Sequence, residues 1–312
     1  NATATVPLTS TQKGLLWAFF SLHIVGGHIL IPILLGLSIW RQRDGARNYV
    51  SYNFFFTWLL YSITFTLLLY AGQQTGPEPT WNICRTQAAL VYAVPILVAT
   101  ASCTLVFQAS ALFMDIRATE SNKIIQRNFF SMRNLVLICF PYVLAAGYLI
   151  GPSVVAIGAR KTISRSNALF YCSSNLRALT VVSATSVGVI FLITVIMEVL
   201  IARMLAKRAR IEQLGSWWKA SGFFVRIALF TAYLLFSVAA CGVEISQPSS
   251  PFRIIVQACG PLIVFAVFGT TPALWSFARV SRISVSLSDS RTSRTSDKST
   301  TPFYQPVTTS VA

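Results

Sequence analysis

Long apolar stretches alternate with short polar segments along most of the chain. Seven stretches are long enough to cross a bilayer as helices, because about 20 apolar residues span the hydrocarbon core. Their approximate bounds are 15–39, 50–72, 86–114, 134–157, 178–202, 222–245 and 254–278. Gly, Pro and Ser, which favour turns, separate some of them, as at 76–79 and 247–251. The pattern predicts an all-α membrane protein, a bundle of seven transmembrane helices.

Composition supports this prediction and excludes most other classes. Of the 312 residues 54% are hydrophobic and only 11% charged, and the mean hydropathy is +0.63. A soluble domain carries about 25% charged residues, so neither a soluble fold nor disorder over most of the chain fits. A transmembrane β-barrel needs short segments of alternating polarity, which are missing here. The lipid bilayer is therefore the first expected partner.

Positive charge predicts which side of the membrane each loop faces. The chain has 25 Lys and Arg against 9 Asp and Glu, a net charge of +16. Eighteen of these cations lie in alternate loops and after the seventh run, and seven lie on the other side, four of them in the loop after the fourth run. Because cytoplasmic loops collect Lys and Arg, we expect a multi-pass plasma-membrane protein with its N-terminus outside and its C-terminus in the cytoplasm. The excess charge would meet anionic lipid, and no nucleic-acid partner is expected.

The chain divides into three predicted regions. Residues 1–14 are expected to be extracellular, and Asn1-Ala2-Thr3 fits the N-glycosylation pattern, either as a site at Asn1 or by chance. Residues 15–278 form the seven-helix domain. Residues 279–312 hold 15 Ser or Thr and little apolar periodicity, which predicts a disordered, Ser/Thr/Arg-rich cytoplasmic tail.

Two cysteines lie in predicted outer loops. Cys84 precedes the third run, and Cys172 lies between the fourth and fifth runs. On the oxidising side of a membrane a disulfide persists, so we expect these two to be bonded; the alternative is two free thiols. The other four cysteines lie inside apolar runs and are expected to be small buried residues.

Seven helices, an outer N-terminus and this pair of cysteines together resemble the G-protein-coupled receptors. Residues 84–95 (CRTQAALVYAVP) and 261–270 (PLIVFAVFGT) are most similar to the receptor-like seven-helix proteins of mushroom-forming fungi. The resemblance implies a receptor that senses an extracellular ligand and signals to a cytoplasmic heterotrimeric G protein. Arg117, in Asp115-Ile116-Arg117, is the nearest match to the coupling motif that ends the third helix in rhodopsin-like receptors.

Ionisable and polar residues near the outer ends of the runs are candidates for ligand binding, since such groups are costly within a bilayer. Glu244 ends the sixth run, and Arg253 and Gln257 begin the seventh. A Glu244–Arg253 pair could close the loop between these runs, or the residues could contact a ligand together with Tyr92 and Arg177. Placement at the interface without a partner is the third alternative. His23 and His28, in the first run, are expected to hydrogen-bond to neighbouring helices.

The fifth run is predicted to continue as a helix into the cytoplasm. Arg203, Lys207 and Arg210 recur at spacings of four and three, which places them on one helical face. This face could contact a G protein, anionic lipid, or both.

No catalytic or cofactor-binding pattern is present, and two histidines on one helix do not complete a zinc site. We therefore expect neither enzymatic activity nor a bound metal or cofactor. Two other functions remain open. A transporter would use interrupted helices, for which Pro95 and Pro141 are the best candidates. A structural membrane protein without signalling is consistent with a sixth run that lacks the Trp-x-Pro switch of rhodopsin-like receptors.

Overall fold

The computed structural model describes residues 9–41, 49–115, 123–158, 162–165, 170–211, 217–246 and 251–269. Among them, seven helical stretches are long and apolar enough to cross a membrane, which confirms the predicted number of spans. These are Ser10–Trp40, Tyr49–Tyr70, Trp81–Ala111, Met132–Val154, Arg177–Met204, Val225–Ser246 and Phe252–Gly269. The chain has the architecture of a multi-pass membrane protein, and the described residues belong to one compact unit.

The first span is composite, whereas the other six are single helices. It consists of α1 (Ser10–Leu22), a π-helical segment (His23–Leu30) and α2 (Ile31–Arg41). The others are α3 (Tyr49–Tyr70), α4 (Trp81–Asp115), α5 (Lys123–Gly158), α6 (Arg177–Ile211), α7 (Trp217–Ser246) and α8 (Pro251–Gly269). Between α5 and α6, strands β1 (Ile163–Ser164) and β2 (Ser173–Ser174) pair antiparallel, with Ile163 opposite Ser174.

Several helices extend beyond the apolar runs, because capping and local hydrogen bonds, not hydropathy, set where a helix ends. α1 begins at Ser10, inside the segment 1–14 that was expected to precede the membrane domain. Thr9 caps it: its hydroxyl accepts from the N–H of Gln12, and the Gln12 side chain accepts from the N–H of Thr9. α6 continues to Ile211, so the predicted extension of the fifth span as a helix is confirmed for the backbone.

α4 is the central helix and packs against α3, α5 and α6. Within its apolar window 78% of the residues are buried, against 22% in the window of α5. Small residues such as Ala88, Ala99 and Ala101 are almost fully buried, and small side chains let helix backbones approach closely. The buried hydroxyl of Ser102 donates to the carbonyl of Val98, so its burial leaves no unpaired donor.

The π-helical segment brings two glycines against neighbouring helices. A Cβ on Gly26 would lie 2.8 Å from the backbone nitrogen of Leu262 in α8, and a Cβ on Gly27 would overlap the side chain of Ser62 in α3. π-Bulges alter which residues of a helix face a neighbour. Here the absence of two side chains permits the first span to pack closely on α3 and α8.

We predict that Gly26→Ala destabilises the protein, because the methyl group meets backbone atoms that cannot rotate away. Overpacking of this kind costs about 1–3 kcal/mol. Gly36→Ala in α2 is the matched control, since nothing lies within 4 Å of a Cβ there and Ala is the better helix former. Thermal unfolding of both variants in lipid nanodiscs measures the difference. Equal unfolding midpoints would contradict the close packing of the first span.

Candidate ligand-binding site

A polar cavity of about 310 Å³ lies at the end of the bundle that carries Cys84 and Cys172, which we call the disulfide end. Residues from α4, α6, α7, α8 and the segment around β2 form its walls. Its polar and aromatic lining includes Tyr92, Tyr171, Ser174, Arg177, Glu244 and Arg253. Three of the four residues proposed from sequence as ligand-binding therefore line one cavity, although they lie on three different helices.

Glu244 and Arg253 form an ion pair that joins the end of α7 to the start of α8. Nη1 of Arg253 lies 2.5 Å from Oε1 of Glu244. The side chain of Arg253 is only 8% exposed and that of Glu244 only 17%. Buried charges are stable only when they are paired. The ion pair considered from the sequence is therefore present and joins α7 to α8, and both residues also line the cavity.

Tyr92 connects three parts of the cavity wall. Its hydroxyl donates to the carbonyl of Ser174 at 3.2 Å and lies 3.4 Å from the hydroxyl of Thr180 in α6. Its own carbonyl accepts from the hydroxyl of Ser183, also in α6. The ring thus positions the β2 segment relative to α4 and α6, so Tyr92 shapes the cavity as well as lining it.

Gln257 occupies a different position from the other three predicted residues. It lines a smaller cavity of about 50 Å³, deeper in the bundle, together with aromatic residues such as Trp58 and Tyr233. The carbonyl of Gln257 accepts from the hydroxyl of Tyr61, and its side-chain Oε1 is buried without a partner. Glu244 lines both cavities and lies between them. Gln257 therefore lines this smaller cavity and is absent from the lining of the cavity at the disulfide end.

Tyr171 and Ser174 were not identified from the sequence. They lie in the irregular segment before α6, where no periodicity reports burial, yet Tyr171 is only 2% exposed. Burial raises the pKa of Tyr171 to about 12, and the positive charge of Arg253 opposes this increase only in part. The phenol therefore stays neutral at physiological pH and retains a proton that it can donate. The signal that could have found it is its place directly before Cys172.

The segment around β2 is held over the bundle by the predicted disulfide. Cys84 at the start of α4 is bonded to Cys172, with the Cα atoms 5.2 Å apart. The N–H of Cys172 donates to Oε1 of Gln87 at 2.8 Å, and Nε2 of Gln87 donates to the carbonyl of Thr64 in α3. Because Gln87 is fully buried, these two bonds satisfy a polar group that would otherwise destabilise the bundle.

Arg165 attaches the same segment to the loop between α3 and α4. Its guanidinium donates to the carbonyls of Gln73, Gln74 and Gly76, at 2.7 to 3.0 Å. Gly76 has φ +91°, a conformation that residues with a side chain rarely adopt. The two loops therefore form one cross-linked cover beside the cavity.

The opposite end of the bundle, called here the far end, contains the C-terminal end of α6 with three of the residues proposed for G-protein coupling. Arg203 is exposed on α6. Lys207 and Arg210 occupy positions on the same helix, but their side chains lie outside the described residues. Arg117, the glycosylation candidate Asn1 and the tail 279–312 also lie outside them.

A buried carboxylate approaches this far end. Glu198 in α6 is 5% exposed and accepts a hydrogen bond of 2.6 Å from the hydroxyl of Thr231 in α7. The sequence analysis did not select it, because a single Glu near the end of an apolar run does not reveal a partner on another helix. This bond links α6 to α7, as the Glu244–Arg253 pair links α7 to α8 at the disulfide end.

The histidines of the first span differ from each other. Nε2 of His28 lies 3.1 Å from the hydroxyl of Thr66 in α3, as expected. Both ring nitrogens of His23 are buried without a partner, and the ring packs against Phe19 and stacks on Phe65. The expected interhelical hydrogen bond is therefore wrong for His23, which packs as an aromatic residue.

The free cysteines differ in burial, and the described residues hold no metal-binding cluster. No group of three or more His, Cys, Asp or Glu within the described ranges could hold a metal ion. Of the four free cysteines, three are partly buried, and Cys139 is exposed on the outward face of peripheral α5, contrary to the expected burial.

Comparison with known proteins adds no family assignment. No protein-family model matches the chain, and no curated protein matches it.

We predict that Cys172→Ser lowers the free energy of unfolding by about 2–4 kcal/mol, since the bond closes a long loop in the unfolded chain. It should also loosen the cover, because the N–H of Cys172 no longer lies fixed beside Gln87. Cys139→Ser, at an exposed free cysteine, is the control and should change little. Thermal unfolding without reductant compares the two. Equal stability of both variants would contradict the bond.

Proposed function

We propose that this chain is a seven-helix receptor of the plasma membrane, similar to the G-protein-coupled receptors, which binds an extracellular ligand and signals to a cytoplasmic heterotrimeric G protein. The observation that carries the proposal is the polar cavity at the disulfide end. It is lined by residues from four helices and from the disulfide-bonded segment around β2. Small-molecule sites are typically concave, largely apolar and equipped with a few convergent polar groups.

Two polar links on α7 support a signalling role. The Glu244–Arg253 pair lies in the cavity wall, and the Glu198–Thr231 bond lies towards the far end. A ligand that binds one arrangement of α7 more tightly than another shifts the balance between them. Because α7 carries both links, such a shift would reach the far end, where the proposed transducer surface lies.

The proposed orientation places the disulfide end outside the cell. Disulfides persist in oxidising compartments, and the cation-rich loops follow helices that end at the far end, as expected for cytoplasmic loops. The helical extension of α6 to Ile211 then enters the cytoplasm, with Arg203, Lys207 and Arg210 at spacings that share one face.

The alternatives receive less support. Transporter sites typically lie where helices are interrupted near the membrane centre, whereas α4 and α5 continue through Pro95 and Pro141 without a break. A structural protein without signalling would need no polar cavity. A polar group buried without a hydrogen-bond partner costs stability.

The orientation predicts the accessibility of the C-terminus. An epitope added after Ala312 should resist protease on intact cells and become cleavable once the membrane is permeabilised. An epitope added before Asn1 should behave in the opposite way and serves as the control. Cleavage of the C-terminal epitope on intact cells would overturn the orientation and, with it, the proposed transducer surface.

The coupling hypothesis is tested by nucleotide exchange on purified Gα subunits in the presence of the chain in nanodiscs. We expect at least one Gα to exchange faster than with empty nanodiscs. A variant in which residues 203–210 are permuted, so that its cations occupy the opposite helical face, should lose this increase. Contact with a protein depends on which residues are presented, whereas attraction to anionic lipid, about 1 kcal/mol per cation, depends mainly on charge.

Two results would contradict coupling through this face. If no Gα subunit exchanges nucleotide faster with the chain than with empty nanodiscs, G-protein signalling by the chain is rejected. Unaltered exchange with the permuted variant, at equal protein per nanodisc, would leave lipid contact as the sufficient role of these cations.

A further inference from the structure

Among the residues that line the cavity at the disulfide end, positive charges outnumber negative charges by one. Arg177 and Arg253 line it, with Glu244 as the acidic group. Glu244 is paired with Arg253, and within the described part of the chain Arg177 has no acidic partner. Arg177 is exposed, so water screens its charge, and it adds a long-range attraction that draws an anion towards the cavity.

Arg253 also has an unused donor. Its Nη1 donates to Glu244, but its Nε is buried and has no hydrogen-bond partner. The residue is 7% exposed and lines the cavity. A buried donor without an acceptor costs about 1–3 kcal/mol. The accessible surface of Nε is below 1 Å², so an acceptor in the cavity reaches it only when the guanidinium turns away from Glu244.

The rest of the lining restricts the form of the ligand. The hydroxyl of Tyr92 is occupied by Ser174 and Thr180, and Val91, Val181 and Ile245 supply apolar surface. The planar guanidinium fork matches an oxyanion, above all a carboxylate, better than it matches a neutral acceptor. The cavity therefore suits an oxyanion attached to a small apolar body.

We propose that the cavity binds its ligand through an oxyanion, best matched by a carboxylate, which Arg177 attracts from the cavity wall and Arg253 holds once its guanidinium turns away from Glu244. Glu244 competes with the ligand for Arg253. The proposal rests on the proposed function only for the signal that binding would produce; the binding itself can be measured without a G protein.

The test uses hexanoate as the probe and its neutral analogue hexanamide as the comparison. The full chain is placed in phosphatidylcholine nanodiscs, and binding is titrated by saturation-transfer NMR and by the increase in unfolding temperature. We expect hexanamide to bind at least about 10-fold more weakly than hexanoate, a difference of about 1.4 kcal/mol. Equal binding of the two probes would overturn the proposal.

Glu244→Gln is the sharper test, because the proposal predicts that this variant binds hexanoate more tightly. Gln keeps an oxygen that accepts from Arg253, so the α7–α8 connection retains a hydrogen bond, but it no longer competes as an anion. Hexanoate should bind about 10-fold more tightly, an effect that general damage to the fold does not produce. Unchanged or weaker binding of hexanoate would overturn the role of Glu244.

Arg253→Lys tests the role of the guanidinium. Lys keeps the charge and can still pair with Glu244, but it lacks the Nε donor and the planar fork, so hexanoate should bind about 10-fold more weakly. Arg85→Gln is the matched control. It removes one cation at the same end of the bundle, from a residue that is absent from the cavity lining, and it should leave the affinity unchanged. Equal losses in both variants would show that the general field, not this site, attracts the anion.

Two further comparisons distinguish a lipid headgroup from a soluble ligand, and the oxyanion site from the proposed signalling. If an anionic lipid headgroup fills the site, phosphatidylglycerol in the nanodiscs will weaken hexanoate binding; if the ligand is soluble, it will not. Both results keep the oxyanion site and identify what supplies the group. Hexanoate binding without any Gα response would reject the proposed signalling alone, and a Gα response without selective hexanoate binding would reject the oxyanion site alone.

Discussion

Backbone hydrogen bonding in apolar surroundings is the constraint on which the structure depends. A chain with 54% hydrophobic and 11% charged residues cannot cover itself with polar surface, and in hydrocarbon each N–H and C=O must find its partner within the protein. Helices meet this requirement locally. The same constraint explains why hydroxyls on the central helix α4, such as that of Ser102, donate to the carbonyls of their own helix, so that α4 can be buried on most sides without unpaired donors.

Polar groups that cannot be satisfied within one helix become the connections between helices. Gln87 joins α3 to Cys172, the Glu244–Arg253 pair joins α7 to α8, and Thr231 donates to Glu198 across α6 and α7. Breaking such a bond leaves a costly buried group, so each connection favours one arrangement of its helices. The cavity lies where these connections meet the cover made by the disulfide, and for that reason its shape depends on residues far apart in sequence.

The charged residues of the cavity make it the part of the molecule best suited to a ligand. Unpartnered polar atoms also lie elsewhere, such as the ring nitrogens of His23, but this cavity combines the Glu244–Arg253 pair with Arg177, which has no acidic partner among the described residues. A protein keeps such an arrangement at a cost in stability. In the receptor that we propose, a bound ligand would offset this cost and at the same time bias the position of α7.

Hydropathy alone was enough to predict seven spans, because length and apolar character are local properties of the chain, and two cysteines at one end of those spans were enough to predict their bond. Positions near the outer ends of apolar runs also selected Glu244 and Arg177, since ionisable groups are costly within a bilayer. Only the tertiary structure decided that Gln257 faces a deeper cavity, that His23 packs among aromatic rings, and that Tyr171 and Glu198 have specific partners. These outcomes depend on the rotation of each helix about its axis and on the path of an irregular segment. Both are determined by packing between distant residues, which leaves no periodic signal in the sequence.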